Sequence, residues 1–270
     1  MQAVTKNSTE RTPHAYATQE NSTDPADGST SPVDLATLYA QRPRGISERK
    51  AWLSALPKPA ARGWLHCINT PLSLINSILL IMFAGSAGLK WACAAFGLCA
   101  LILFGNSATY HLGHWSQRTH NVLRRIDHSN IFLLIAGTYT PLSVGVLSPT
   151  HRNLVLAIVW LGAAAGIILS VAWNTAPRWL YVPLYILLGW VALWFLPEFW
   201  RDGGPACVWL LLVGGLGYTI GALCYAFRWP NPWPAVWGFH EFFHLGTIVG
   251  YWSHSAAIWV GLATIGALAL

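Results

Sequence analysis

Near its carboxyl end the chain reads GFHEFFHLGTIVGYWSH, and residues His240 to His244 match the H-E-x-x-H zinc pattern letter for letter. On a helix, residues four apart stack one turn above each other on a single face, so His240 and His244 can offer two imidazoles to one metal ion. Ser107 and His111, in NSATYHLGH, share that spacing, and a carboxylate, Asp127, stands in RRIDHSN. Three neutral imidazoles, His111, His240 and His244, would leave a tetrahedral zinc one open position for water, the pattern of a catalytic rather than a structural site. Zinc lowers the pKa of such a water to about 7. Asp127 would then orient the water or shuttle its proton, or else ligate the metal itself, while Ser107 would donate a hydrogen bond to the water or to an oxyanion. A metalloprotease would use the pair differently, with Glu241 as general base and a further carboxylate ligand. The elements that carry these residues decide what they can do.

Those elements are apolar. The 270 residues are 54% hydrophobic and only 10% charged, and they include 16 tryptophans, a composition too oily for a soluble domain. A bilayer core of roughly 30 Å takes about 20 apolar helical residues per crossing, and charges at its centre are costly, so charged residues mark the ends of spans. The spacing predicts spans at 65–86, 91–113, 128–147, 153–173, 179–197, 206–227 and 242–265, with turn chemistry between them. The fold class is therefore an all-α integral membrane protein, a seven-transmembrane helix bundle. Pro141 and Pro183 fall inside spans and predict kinks. Residues 1–60 are polar and rich in Ser, Thr and Pro, with no apolar signal-peptide core, and read as a disordered tail preceding a transmembrane domain over 61–270. Within the tail, 33–40 fits a short surface helix, and 42–62 is basic enough to lie on anionic head groups. Cys67, Cys93, Cys99, Cys207 and Cys224 are scattered singly and read as packing residues.

Positive residues near span ends set orientation. Arg44, Arg49, Lys50, Lys58, Arg62, Arg118, Arg124, Arg125, Arg178 and Arg228 fall on one side, against Lys90, Arg152 and Arg201 on the other. This puts the amino terminus in the cytoplasm, and the net charge of +6 needs no nucleic acid to explain it. The same topology sets Ser107, His111, Asp127, His240 and His244 at one depth, near the cytoplasmic face, where seven bundled helices can bring them together. Blander roles compete. Asp127 fits a helix cap, and Glu241 lies about 100° around the helix from His240, as close to a loop as to a metal. His66, His114, His120, His128, His151 and His254 lack a paired spacing and read as hydrogen-bonded or interfacial side chains. Tryptophans near span ends read as interface anchors.

The combination of Ser107 with His111, Asp127, and His240 with His244 resembles the progestin and adipoQ receptor (PAQR) superfamily. FGNSATYHLGHWS, RRIDHSNIFLLIAGTYTPL, APRWLYVPLYILLGW and RWPNPWPAVWGFHEFFH look like its hemolysin III branch, a similarity covering about residues 60–265. The resemblance implies seven helices with the amino terminus inside, one zinc held by His111, His240 and His244, and a zinc-bound water attended by Asp127 and Ser107. Animal relatives act as hormone receptors and are associated with zinc-dependent ceramide hydrolysis, whereas hemolysin III members are named for cell lysis attributed to pores. Many relatives carry E-x-x-N-x-x-x-H in the first span. Here RGWLHCINTPL supplies His66 and Asn69 without that Glu or the later His, which leaves His66 a supporting role. The expected protein is a multi-pass cell-membrane, zinc-dependent hydrolase of a lipid amide or ester, with a membrane lipid as substrate or ligand. The alternatives are a pore-forming, lytic protein and a lipid-sensing receptor, each with structural zinc. Ionisable residues gathered at one face, not lining a crossing, weigh against a pore, and nothing specifies a protein partner.

Overall fold

The computed structural model describes residues 58–173 and 177–269, together with Gly45, Glu48 and Trp52. Most of the expected tail over 1–60, including the helix at 33–40, lies outside the described residues. The described chain is helical: α1 (Trp64–Phe83), α2 (Ala87–Leu112), α3 (Gln117–Val146), α4 (Pro149–Ala172), α5 (Arg178–Gly189), a 3-10 turn (Trp190–Phe195), α6 (Leu196–Gly203), α7 (Pro205–Phe227) and α8 (Phe239–Thr264). Neighbours in sequence pack side by side, α1 on α2, α2 on α3 and α3 on α4. The last helix, α8, lies along α7 and also touches α1 and α3, which sits at the centre of the bundle.

Six of these segments are long and apolar enough to cross a membrane, with α5 through α6 counting as one 26-residue segment. The expected seventh, α8, is also 26 residues long, or about 39 Å at 1.5 Å per residue. Its His, Ser, Gly and Tyr residues make it too polar to count on apolarity alone. Surface chemistry agrees with a membrane bundle. Trp91, Leu161, Trp179 and Trp194 are each more than 70% exposed, while Ser73, Asn76, Ser77, Thr247 and Ser255 are buried. Buried polar groups must find partners, and Asn76 is where several meet. Its amide donates to the Tyr251 hydroxyl at 3.1 Å, and its carbonyl oxygen accepts from Ser255 and from the Trp259 indole, each at 3.1 Å. This clamps α1 to α8.

The structure corrects two expectations. The third span was expected to begin at 128, but α3 starts at Gln117, with the Ser116 hydroxyl accepting from the Thr119 amide at 3.3 Å. Its first three turns are polar, so hydropathy alone misses them, and Asp127 lies well inside the helix, which removes the capping role considered for it. The fifth span was expected to be one helix over 179–197. It instead tightens to a 3-10 turn after Gly189, while α5 runs unbroken through Pro183. Tyr139 of α3 stabilises the change of pitch: its hydroxyl donates to the Gly189 carbonyl at 2.7 Å and accepts from the Ala192 amide at 2.8 Å.

The closest helix pair is α7 with α8, where glycines replace side chains. A Cβ on Gly246 would stand 2.7 Å from the Gly217 carbonyl oxygen and 2.8 Å from the Gly221 Cα. Both obstacles are backbone and cannot rotate away. Small residues that let backbones touch are a common way to hold membrane helices together. Gly246→Val is expected to lower stability by about 1–3 kcal/mol, the usual cost of overpacking, read as an earlier thermal transition of the detergent-purified protein.

Candidate metal centre

Local backbone chemistry at the start of α8 presents His240 and His244. The chain leaves α7 through Arg228, in the left-handed region at φ 53°, and buried Asn231 ties the following loop. Its amide donates to the Arg228 carbonyl at 2.7 Å, and its side-chain oxygen accepts from the Phe239 amide at 3.1 Å. The Glu241 carboxylate accepts from the Gly238 amide at 2.8 Å, completing the helix start. His111 comes from the last turn of α2. Gly63, just ahead of α1, has φ 87°, and a Cβ there would stand 2.7 Å from the His111 Cβ. Glycine is needed both for that backbone and for α1 to approach the histidine.

The structure brings the three predicted histidines together. The ring centroids of His111 and His240 are 4.9 Å apart, those of His111 and His244 5.1 Å, and those of His240 and His244 4.7 Å. One ring nitrogen from each lies within 4.8 Å of the others, the one such cluster among the described residues able to hold a metal ion. His244 is 2% and His111 6% exposed, and the Nε2 atoms of His111 and His240 are buried with no hydrogen-bond partner. Unpaired buried nitrogens are costly unless something else coordinates them. In a tetrahedral site with bonds of about 2.0–2.1 Å, the nitrogens stand roughly 3.4 Å apart, within reach by small side-chain rotations. The donor set and geometry therefore fit a metal ion.

Asp127 and Ser107 stand beside this cluster. The Asp127 Oδ2 is 3.9 Å from the His111 Nε2, too far for a direct hydrogen bond but a distance that one water bridges. The buried Ser107 hydroxyl interacts with the Asp127 carboxylate. His66 is nearer than its spacing indicated. Its ring stacks on that of His244 at 3.9 Å between centroids, 6° from parallel, and the edge of Phe104 closes its other side at 5.1 Å. Neither His66 nitrogen has a hydrogen-bond partner. It is not one of the three clustered ligands, but it fixes the ring plane of one of them.

Glu241 is engaged elsewhere. One oxygen accepts from the Gly238 amide, the other pairs with the Arg62 guanidinium, and its side chain is 1% exposed. A carboxylate held by an ion pair and a helix start cannot serve as a free general base, so the protease use of H-E-x-x-H does not apply. Sequence reasoning missed Arg62, and with it Lys58, whose ammonium donates to the His111 carbonyl. Burial lowers the Lys58 pKa, and the nearby Arg62 charge lowers it further. The signal was the basic run just before α1, read above as a membrane-surface and orientation feature. Two other histidines serve structure: His151 pairs with Glu198, and the His128 Nε2 meets the Tyr225 hydroxyl at 3.2 Å.

An apolar cleft starts beside this centre, at residues that flank the three histidines, and runs into the bundle. It takes in roughly 870 Å³, part of it open to the outside, beginning at His66, Ser107 and Asp127 and ending at Tyr218 and His254. Asp127 and Tyr139 both line it on α3, twelve residues apart in sequence, which makes the cleft about 18 Å long at 1.5 Å per residue.

Comparison with known proteins places this arrangement. The haemolysin-III related family profile matches residues 54–255. The chain is 32% identical over 181 residues to the hemolysin-3 homolog of Bacillus subtilis (strain 168), covering 66% of this chain and 83% of that protein. It is also 32% identical over 161 residues to hemolysin-3 of Bacillus cereus, covering 58% of this chain and 73% of that one. The matched region runs through α1 to most of α8 and holds every residue of the histidine cluster, so this multi-pass membrane protein belongs to the hemolysin III family of the PAQR superfamily.

Proposed function

We propose that this protein is a zinc-dependent hydrolase of a membrane lipid amide or ester, seated in the cell membrane with α8 as a seventh crossing and the amino terminus in the cytoplasm. One observation carries the reading: a three-histidine cluster stands next to a carboxylate and a hydroxyl, Asp127 and Ser107, that line the head of an apolar cleft long enough for an acyl chain. His111, His240 and His244 hold the ion. Bound there, zinc supplies Lewis acidity that polarises a carbonyl and makes water acidic near neutral pH. Asp127 takes the proton of the attacking water and returns it to the leaving amine or alcohol. Ser107 donates its one O–H to the Asp127 carboxylate and turns it to the developing oxyanion once that carboxyl has taken up the proton. The cleft walls exclude bulk water and align the acyl chain, so the reacting carbonyl need not search for its position.

The test is hydrolysis of a panel of ceramide-like amides and long-chain esters by purified protein, alongside metal analysis. Wild type is expected to carry about one zinc per chain and to turn over at least one lipid, with His111→Ala, His240→Ala and His244→Ala each substoichiometric in zinc and inactive. Zinc at full occupancy with no lipid cleaved would overturn the hydrolase reading. The Bacillus cereus relative's name, hemolysin-3, motivates a second reading, lysis. Dye release from liposomes that persists in Asp127→Asn would favour it.

A further inference from the structure

The deep end of the cleft carries two polar atoms that the chemistry proposed above does not use. His254 lies ten residues beyond His244 on α8, about 15 Å along the helix axis. Its Nε2 is 3.0 Å from the Leu211 carbonyl oxygen. A carbonyl only accepts, so Nε2 carries the hydrogen and, in a neutral ring, Nδ1 presents a lone pair. That Nδ1 is buried with no hydrogen-bond partner, and so is the Tyr218 hydroxyl. Both residues line the cleft, and their rings meet edge to face at 5.4 Å between centroids.

The other polar groups in this half of the cleft have partners. The Tyr139 hydroxyl bridges Gly189 and Ala192, Thr138 donates to the Leu134 carbonyl, and Thr219 accepts from the Trp190 indole while donating to the Gly215 carbonyl. The two unpartnered groups are also held in place. A Cβ on Gly214 would fall 2.2 Å from the His254 Cδ2, and one on Gly250 would fall 2.5 Å from the Tyr218 ring. Each ring is seated over a glycine of the facing helix, so neither can swing away to find a partner without losing that packing.

We infer that Tyr218 and His254 form a second recognition point, which reads a hydroxyl partway along the acyl chain of a ligand whose polar end sits at the histidine cluster. The inference rests on the lipid reading above. A hydroxyl matches both groups, since it donates to the His254 Nδ1 and accepts from the Tyr218 O–H. The separation of about 15 Å is that of an extended chain of roughly a dozen methylenes. The ligand class is therefore a hydroxylated long-chain acyl lipid, with the hydroxyl near the middle of its chain.

The experiment compares equilibrium binding of octadecanoic acid and its twelfth-carbon hydroxy derivative to detergent-purified, metal-loaded protein. Wild type is expected to bind the mid-chain hydroxy acid about fivefold more tightly, the effect of one good buried hydrogen bond. The second-carbon hydroxy acid should show no such preference. Tyr218→Phe removes an oxygen that has no partner, and His254→Gln can keep an N–H toward Leu211 while removing the Nδ1 acceptor. Each is expected to bring the preference, read as the ratio of the two affinities within that variant, close to one. Equal binding of the plain and mid-chain hydroxy acids by wild type overturns this inference and leaves the lipid reading standing. Binding of neither overturns both.

Discussion

Asparagine in place of Asp127 is expected to cut lipid amide or ester turnover by about 10²- to 10⁴-fold, the range for loss of a positioned general acid–base, while leaving zinc at wild-type occupancy. The argument is geometric. Asp127 stands 3.9 Å from the His111 Nε2, outside the cluster of three nitrogens and beside the Ser107 hydroxyl. Asparagine matches its shape and can still hydrogen-bond to that serine, but it cannot take a proton from water. Measuring turnover and metal content on the same preparation separates the two roles open to this carboxylate. Loss of zinc along with activity would make Asp127 a ligand. Full zinc with undiminished turnover would remove it from the mechanism.

A second large effect is expected on stability, at the start of α8. Arg62→Ala should destabilise the protein by about 3–5 kcal/mol, because removing one partner of a buried ion pair leaves the other charge uncompensated. The Glu241 side chain is 1% exposed against 16% for Arg62, and its remaining hydrogen bond is from the Gly238 amide. The measurement is thermal or denaturant unfolding in detergent. Adding Glu241→Gln to Arg62→Ala should recover most of the loss, since the double variant no longer buries a bare charge. A single variant as stable as wild type would show that water reaches Glu241 freely.

The two residues of that pair also show where sequence reading stops. Arg62 and Glu241 are 179 positions apart, and nothing in either neighbourhood announces the other. The histidine cluster was more legible because its signals are local: four-residue spacings at His240 and His244 and at Ser107 and His111, each at the end of an apolar run. Charge placement did the rest by setting those ends at one depth. Span boundaries were readable where apolar residues stop at a charge, as at Pro205–Phe227. They failed at Gln117, where α3 continues through polar residues. Helix formation follows backbone hydrogen bonding, whereas hydropathy reports only the part that suits lipid. His66 was underestimated for a related reason. Stacking at 3.9 Å depends on the crossing of α1 and α8, held by Asn76, and no spacing in the chain encodes that.

On the lipid reading proposed above, the glycine contact between α7 and α8 bears on how such a guest would enter. With the Gly246 Cα region pressed on the Gly217 and Gly221 backbone, there is no side-chain cushion to compress and no room for sliding, so these two helices travel as one rigid plank. Tyr218 and His254 ride on it, and so do His240 and His244. On that reading, give for a bulky guest falls to the adjoining wall, where the chain winds more tightly after Gly189 and a single tyrosine oxygen spans the join.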